Sequence, residues 1–148
     1  MENYYILRLG KELRRNLKLF RDSLYKQHGN PSLLALEACI ILGPADKQEA
    51  LPFVDCPHLP LSTLRAASYQ SGHLHLPIPG TPFTKIREQL ETDYPYDGIY
   101  LGEMETTFPV EPIMVRDVSL AILTIQRDGE LITWNVSSEK HLDSGRHH

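Results

Sequence analysis

The sequence predicts an α+β fold, and three features carry that expectation. An apolar strand over residues 4–9 runs into an amphipathic helix and then a second apolar strand ending at Leu42-Gly43. The same order returns where residues 73–78 lead through a shorter helix to residues 98–102. The chain then closes on a hairpin that turns at Arg127-Asp128-Gly129-Glu130.

The first strand is rich in Tyr, Ile and Leu, which suits burial on much of both faces, and Gly10 ends it. Over residues 11–28, Leu13, Leu17, Phe20 and Leu24 recur at helical spacing, with Lys11, Arg14, Arg15, Lys18 and Arg21 on the other side. Gly29-Asn30-Pro31 stops that helix. The run from Leu33 to Leu42 reads as helix or strand; Ile40-Ile41 and the following Gly43-Pro44 favour a strand in its second half. A short helix or turn with Asp46 as N-cap is expected over residues 46–51, and the prolines of residues 52–60 indicate a loop. Residues 61–69 read as a strand, and Gln70-Ser71-Gly72 as a turn.

From His73 onward the pattern His-Leu-His-Leu-Pro-Ile predicts a half-buried strand with Leu74, Leu76 and Ile78 on one face. Thr81-Pro82 has the form of an N-cap followed by a proline at the first helical position. The helix beyond it uses Phe83, Ile86 and Leu90 and should end at Pro95. Residues 99–103 form a strand, residues 104–112 a loop, and residues 113–125 and 131–136 the closing strands. One bilobal α+β domain is expected over residues 1–136, with residues 137–148 a polar, flexible tail.

With 148 residues the chain can bury roughly 70% of its unfolded surface, enough for a core without disulfides or metal. Net charge is −4, which argues against bulk attraction to nucleic acid or anionic membrane, so RNA binding has no support from charge. Two cysteines, Cys39 in an apolar run and Cys56 beside Pro57, make neither a disulfide framework nor a zinc site. There is no basic start ahead of an apolar segment and no apolar run near the ~18 residues that span a bilayer; a cytoplasmic location is expected.

Taken in order, these elements resemble the two-histidine phosphoesterase superfamily, which includes the RNA 2′,3′-cyclic phosphodiesterases. The resemblance covers almost the whole chain. It is strongest where a helix is followed by Tyr94-Pro95-Tyr96-Asp97-Gly98-Ile99-Tyr100-Leu101-Gly102, then Pro112-Ile113-Met114-Val115-Arg116-Asp117-Val118-Ser119-Leu120, then the hairpin carrying Trp134. It implies two antiparallel-rich lobes flanked by helices around a central cleft. Each lobe would offer one histidine and one threonine or serine: one imidazole deprotonates water, the other protonates the leaving alkoxide, and the hydroxyls hold the phosphate oxygens. Here both motifs are degenerate. The second falls on Gly98 and Tyr100, and the first, anchored on Leu42-Gly43, near Leu36 and Ala38.

No catalytic residue carries over, and whether the chain is an enzyme stays open. His73 and His75, two apart on a strand, point to one face and are the remaining catalytic candidates; with His58 they could form a metal site, although solvent-facing or partly buried polar histidines are the favoured reading of so common a pattern. Tyr96 and Tyr100, with Tyr94, could line a pocket for a flat ligand or close the end of a core. The basic helix side and the Glu103/Glu105 pair read as solvated surface. No phosphate-binding glycine signature and no G-x-S-x-G elbow is present. The expectation is a non-catalytic or divergent member of that fold, holding a nucleotide, cyclic phosphate or polar metabolite in the cleft near Tyr100, with no cofactor, metal or membrane. The alternatives are an active phosphoesterase using His73 and His75, and a protein-interaction module presenting Phe53, Val54 and Phe108.

Overall fold

The computed structural model describes residues 2–45, 51–57, 59, 64–70, 72–129 and 131–142. Its elements run β1 (Glu2–Leu9), α1 (Lys11–His28), α2 (Ser32–Ala35), β2 (Cys39–Pro44), β3 (Leu64–Gln70), β4 (His73–Pro77), α3 (Thr84–Leu90), β5 (Gly98–Gly102), β6 (Phe108–Ile113), β7 (Val118–Asp128) and β8 (Leu131–Leu142). The fold is α+β. The strands form one continuous sheet in the order β6-β3-β4-β5-β2-β1-β7-β8, and each neighbouring pair is antiparallel.

Because strand side chains alternate, β1, β2, β5, β7 and β8 each feed two different cores. On one face α1 and α3 lay Leu17, Leu24, Ile86 and Leu90 against Leu7, Ile40, Leu74, Leu76, Ile99 and Leu101. On the opposite face Ile6, Cys39, Ile41, Tyr100, Ala121, Leu123 and Ile125 make a smaller cluster. Burying an aliphatic side chain of this kind contributes about 1.5–3 kcal/mol, so the helix-bearing face carries most of the driving force.

A pseudo-twofold axis passes between the central strands, where Ile40 pairs with Ile99. On one side Leu7 pairs with Ile40; on the other Leu76 pairs with Ile99. Both outer ladders carry a register shift at the same place: Tyr5 opposes Gly43 where Ile6 opposes Ile41, and Leu74 opposes Gly102 where His75 opposes Tyr100. Gly43 and Gly102 have φ of 149° and 155°, backbone that side-chain-bearing residues rarely adopt. A Cβ on Gly43 would lie 2.3 Å from Thr92 Oγ1; one on Gly102 would lie 3.1 Å from Leu33 Cδ2.

The helices reinforce this equivalence by reaching across the axis. Arg21 of α1 donates Nε–H to the Leu101 carbonyl of β5 at 3.0 Å, and Arg87 of α3 donates Nε–H to the Leu42 carbonyl of β2 at 3.0 Å. Each half supplies the guanidinium that satisfies the other half's strand end.

Most predicted elements appear, with informative differences. Arg21 is 4% exposed rather than on a solvated basic side, and Arg14 pairs with Glu37 at 3.2 Å. The Thr81 N-cap is not used. Thr81 has φ 48°, and α3 begins after Phe83 and ends at Glu91 in the left-handed conformation, ahead of Pro95. The expected loop over residues 104–112 contains β6, whose prolines disguised an edge strand. β8 runs on to Leu142 instead of fraying after Val136. Val54 is buried, so it presents no interaction surface. The expected turn at Asp46, the ligand His58 and the side chain of Phe108 lie outside the described residues.

Candidate functional site: an imidazole–tyrosine group

Strand β4 places both of its histidines on the face opposite the helices, because Leu74 and Leu76 take the alternate positions and anchor in the main core. Sequence alternation suggested half-burial, yet His73 and His75 are only 7% and 5% exposed. Their Nδ1 atoms are 3.2 Å apart, and His75 Nδ1 is also 3.4 Å from the His73 carbonyl oxygen. One Nδ1 therefore carries the proton and the other accepts it.

Three tyrosines surround the pair. Tyr96 stacks on His73, with ring centroids 4.7 Å apart and planes inclined by 19°. Tyr100, across the ladder from His75, lies 4.8 Å from His73, and Tyr94 packs edge-on at 5.9 Å. Two of these rings come from the segment linking α3 to β5, and Arg87 holds that segment in place. Its Nη2 donates to the Tyr96 carbonyl at 3.0 Å and the Ile41 carbonyl at 3.1 Å, while Nη1 pairs with Asp97. Arg87 is thus a positioning residue that the sequence reading passed over. The signal was present: Arg87 and Arg21 each fall inside an apolar stripe, between Phe83 and Leu90 and between Leu17 and Leu24.

The group is electrically neutral. Burial, with a smaller effect from His75, pushes the His73 imidazole down to about 4. Burial also lowers His75, against an opposing contribution from the His73 carbonyl. Burial raises Tyr94 to about 12 and raises Tyr100 as well. Cys39, paired in register with Tyr100, is buried and raised to about 12, so it sits there as an inert thiol. Among the described residues, His73 Nε2 is buried without a hydrogen-bond partner. An uncompensated imidazole N–H or lone pair of this kind costs about 1–3 kcal/mol.

The positions the resemblance assigns to histidine and hydroxyl are structurally closed. A Cβ at Gly98 would meet the Leu76 carbonyl oxygen at 2.4 Å and His75 Cδ2 at 2.9 Å, so the His75 ring fills the space a side chain would need. Leu36 belongs to the smaller cluster and Ala38 to the larger one, so they do not share a face. Among the described residues no group of three or more His, Cys, Asp or Glu side chains could hold a metal ion. Glu103 and Glu105 are both exposed, as expected.

A cleft of about 540 Å³ lies away from these rings, on the helix-bearing side. Leu13, Leu17 and Phe20 of α1 and Val110, Ile113 and Met114 line it, with Lys11, Glu12, Arg116 and Asp117 among its polar residues. It holds no imidazole or tyrosine, so the convergent hydrogen-bonding groups are in the ring cluster and the open volume is not. No described helix is long and apolar enough to cross a membrane. No family model, no curated protein and no solved structure matches the chain, and the geometry of the site is what speaks for its chemistry.

Proposed function

We propose that the chain is a non-catalytic binding protein on a two-histidine-phosphoesterase-like frame, taking the base of a nucleotide, or a similar flat polar ring, at the His73–Tyr96 group. The observation that carries this reading is that His73, stacked on Tyr96, has a buried Nε2 with no hydrogen-bond partner among the described residues. A heterocycle that displaced the Tyr96 ring would keep the stacking, and a polar substituent reaching into the imidazole plane would give Nε2 its missing partner. Stacking of this type is worth about 1–3 kcal/mol per base. The two imidazoles are held neutral, so recognition runs through ring faces and hydrogen bonds rather than through attraction to phosphate.

Hydrolysis by His73 and His75 fits the geometry less well. Acid and base must act on opposite sides of a phosphorus atom, and two rings from one strand with nitrogens 3.2 Å apart leave no room between them. A time course by phosphorus and ligand-observed proton NMR, with 2′,3′-cyclic mononucleotides and near-stoichiometric protein, separates the readings. Broadened base resonances without new monoester signals, weakened roughly tenfold in His73→Ala, are expected. Monoester product that disappears in His73→Ala/His75→Ala would establish the enzyme instead. Unperturbed spectra would remove nucleotides as ligands.

A further inference from the structure

The two edges of the sheet are built differently. β6 carries Pro109, Glu111 and Pro112, which remove amide donors and add a charge, the usual protection of an exposed edge. β8, at the other edge, is twelve residues long, and its first seven, Leu131-Ile132-Thr133-Trp134-Asn135-Val136-Ser137, contain no charge, no proline and no glycine. Among the described residues no strand lies beyond it.

Side-chain alternation along this segment follows from its pairing with β7. Trp134 opposes Ile125 and Val136 opposes Leu123, so both point to the face opposite the helices, as does Ile132; Thr133 and Asn135 point the other way. Trp134 is 38% exposed although it stands in line with a buried cluster. We propose that β8 is the docking edge for a second copy of this chain, pairing antiparallel with its own counterpart about a twofold axis at Trp134.

The segment is self-complementary in that register. Trp134 meets the partner's Trp134, Ile132 meets the partner's Val136, and Thr133 meets the partner's Asn135. Apolar residues therefore face apolar ones on the Trp134 side of the joined sheet; on the other side polar Thr133 faces polar Asn135, and the register pairs Leu131 with Ser137 at the two ends. No like charges oppose, and an aromatic pair sits on the axis, where it adds side-chain contact to the backbone hydrogen bonds. The closed twofold contact uses up the β8 edge of each copy and does not propagate into a fibre. Beyond Ser137 the ladder to β7 shifts register around Ser138, whose φ is 54°, and the charged Glu139 and Lys140 follow, which limits the uncharged contact to these seven residues.

Trp134 is the single tryptophan, so its emission reports the contact directly. Sedimentation velocity on the full chain from low micromolar to near-millimolar concentration is expected to show the mass double, with the emission shifting to the blue over the same range. Thr133→Lys/Asn135→Lys sets lysines against lysines across the axis while changing only exposed side chains. It should stay at monomer mass with concentration-independent emission and an unchanged circular dichroism spectrum. A wild-type chain that remains monomeric throughout would overturn the proposal. So would a dimer that survives in the folded double variant.

Discussion

His73 and His75 set the pH response of the molecule. An unfolded imidazole titrates at 6.5, and His73 in the folded chain titrates near 4, with His75 displaced in the same direction. Between those values the unfolded state binds more protons, so folded stability rises with pH in that window and is lost as pH falls from about 6.5 towards 4. The loss should amount to about 1–3 kcal/mol, measured by urea unfolding at a series of pH values. His73→Phe keeps the ring packing and removes the titration, and its stability should depend less steeply on pH. An equally steep dependence in that variant would mean that other groups control acid unfolding. The placement of these histidines was legible in the sequence, since two-residue spacing fixes a common face. Their burial was not, because it depends on Tyr94 and Tyr96 arriving from another part of the chain.

Among the elements, α1 and α3 each bury one arginine, and the two differ in how fully they are satisfied. Arg87 makes four bonds, to three strand or loop carbonyls and to Asp97, and its guanidinium also lies 5.5 Å from the Phe83 ring centre. Arg21 donates to Leu101 alone among the described residues, its Nη2 is buried without a partner, and burial lowers its pKa. Replacement by methionine should therefore cost about 3 kcal/mol or more at Arg87 and about 1 kcal/mol or less at Arg21, compared by chemical denaturation. Arg87→Met should also free Tyr96, raising any affinity for nucleotide bases, because the ring then yields its place more readily. The helices and central strands followed from hydrophobic period. β6 did not, because Pro109 and Pro112 read as loop residues and only the fold shows that they lie on an edge. The extension of β8 through Leu142 escaped notice for a related reason: its polar residues gain order from the register with β7, which no local pattern announces.

For the whole molecule, the pseudo-twofold relation supplies matched pairs of positions that compare like with like. Gly43 and Gly102 are equivalent, but a side chain at Gly43 would press on the Asp93 backbone at 2.5 and 2.9 Å, whereas at Gly102 it would touch mainly side-chain atoms of Leu33 and Ser32 at 3.1 and 3.2 Å. Gly43→Ala should cost about 3 kcal/mol or more and Gly102→Ala about 1–2 kcal/mol, read from thermal melts. Equal costs would show that the shared backbone strain, rather than the neighbours, dominates at both sites. Half of this symmetry was visible in the doubled strand–helix–strand order; the crossed arginines and paired register shifts were not, since they join residues far apart in sequence. The same relation sets Ile6 in the place of His75, and Ile41 in the place of Tyr100. Equivalent positions thus carry hydrocarbon in one half and a hydrogen-bonding ring in the other. The backbone pattern occurs twice, while the chemistry on it is single-copy, so a ligand that recognises the rings meets one address and not two.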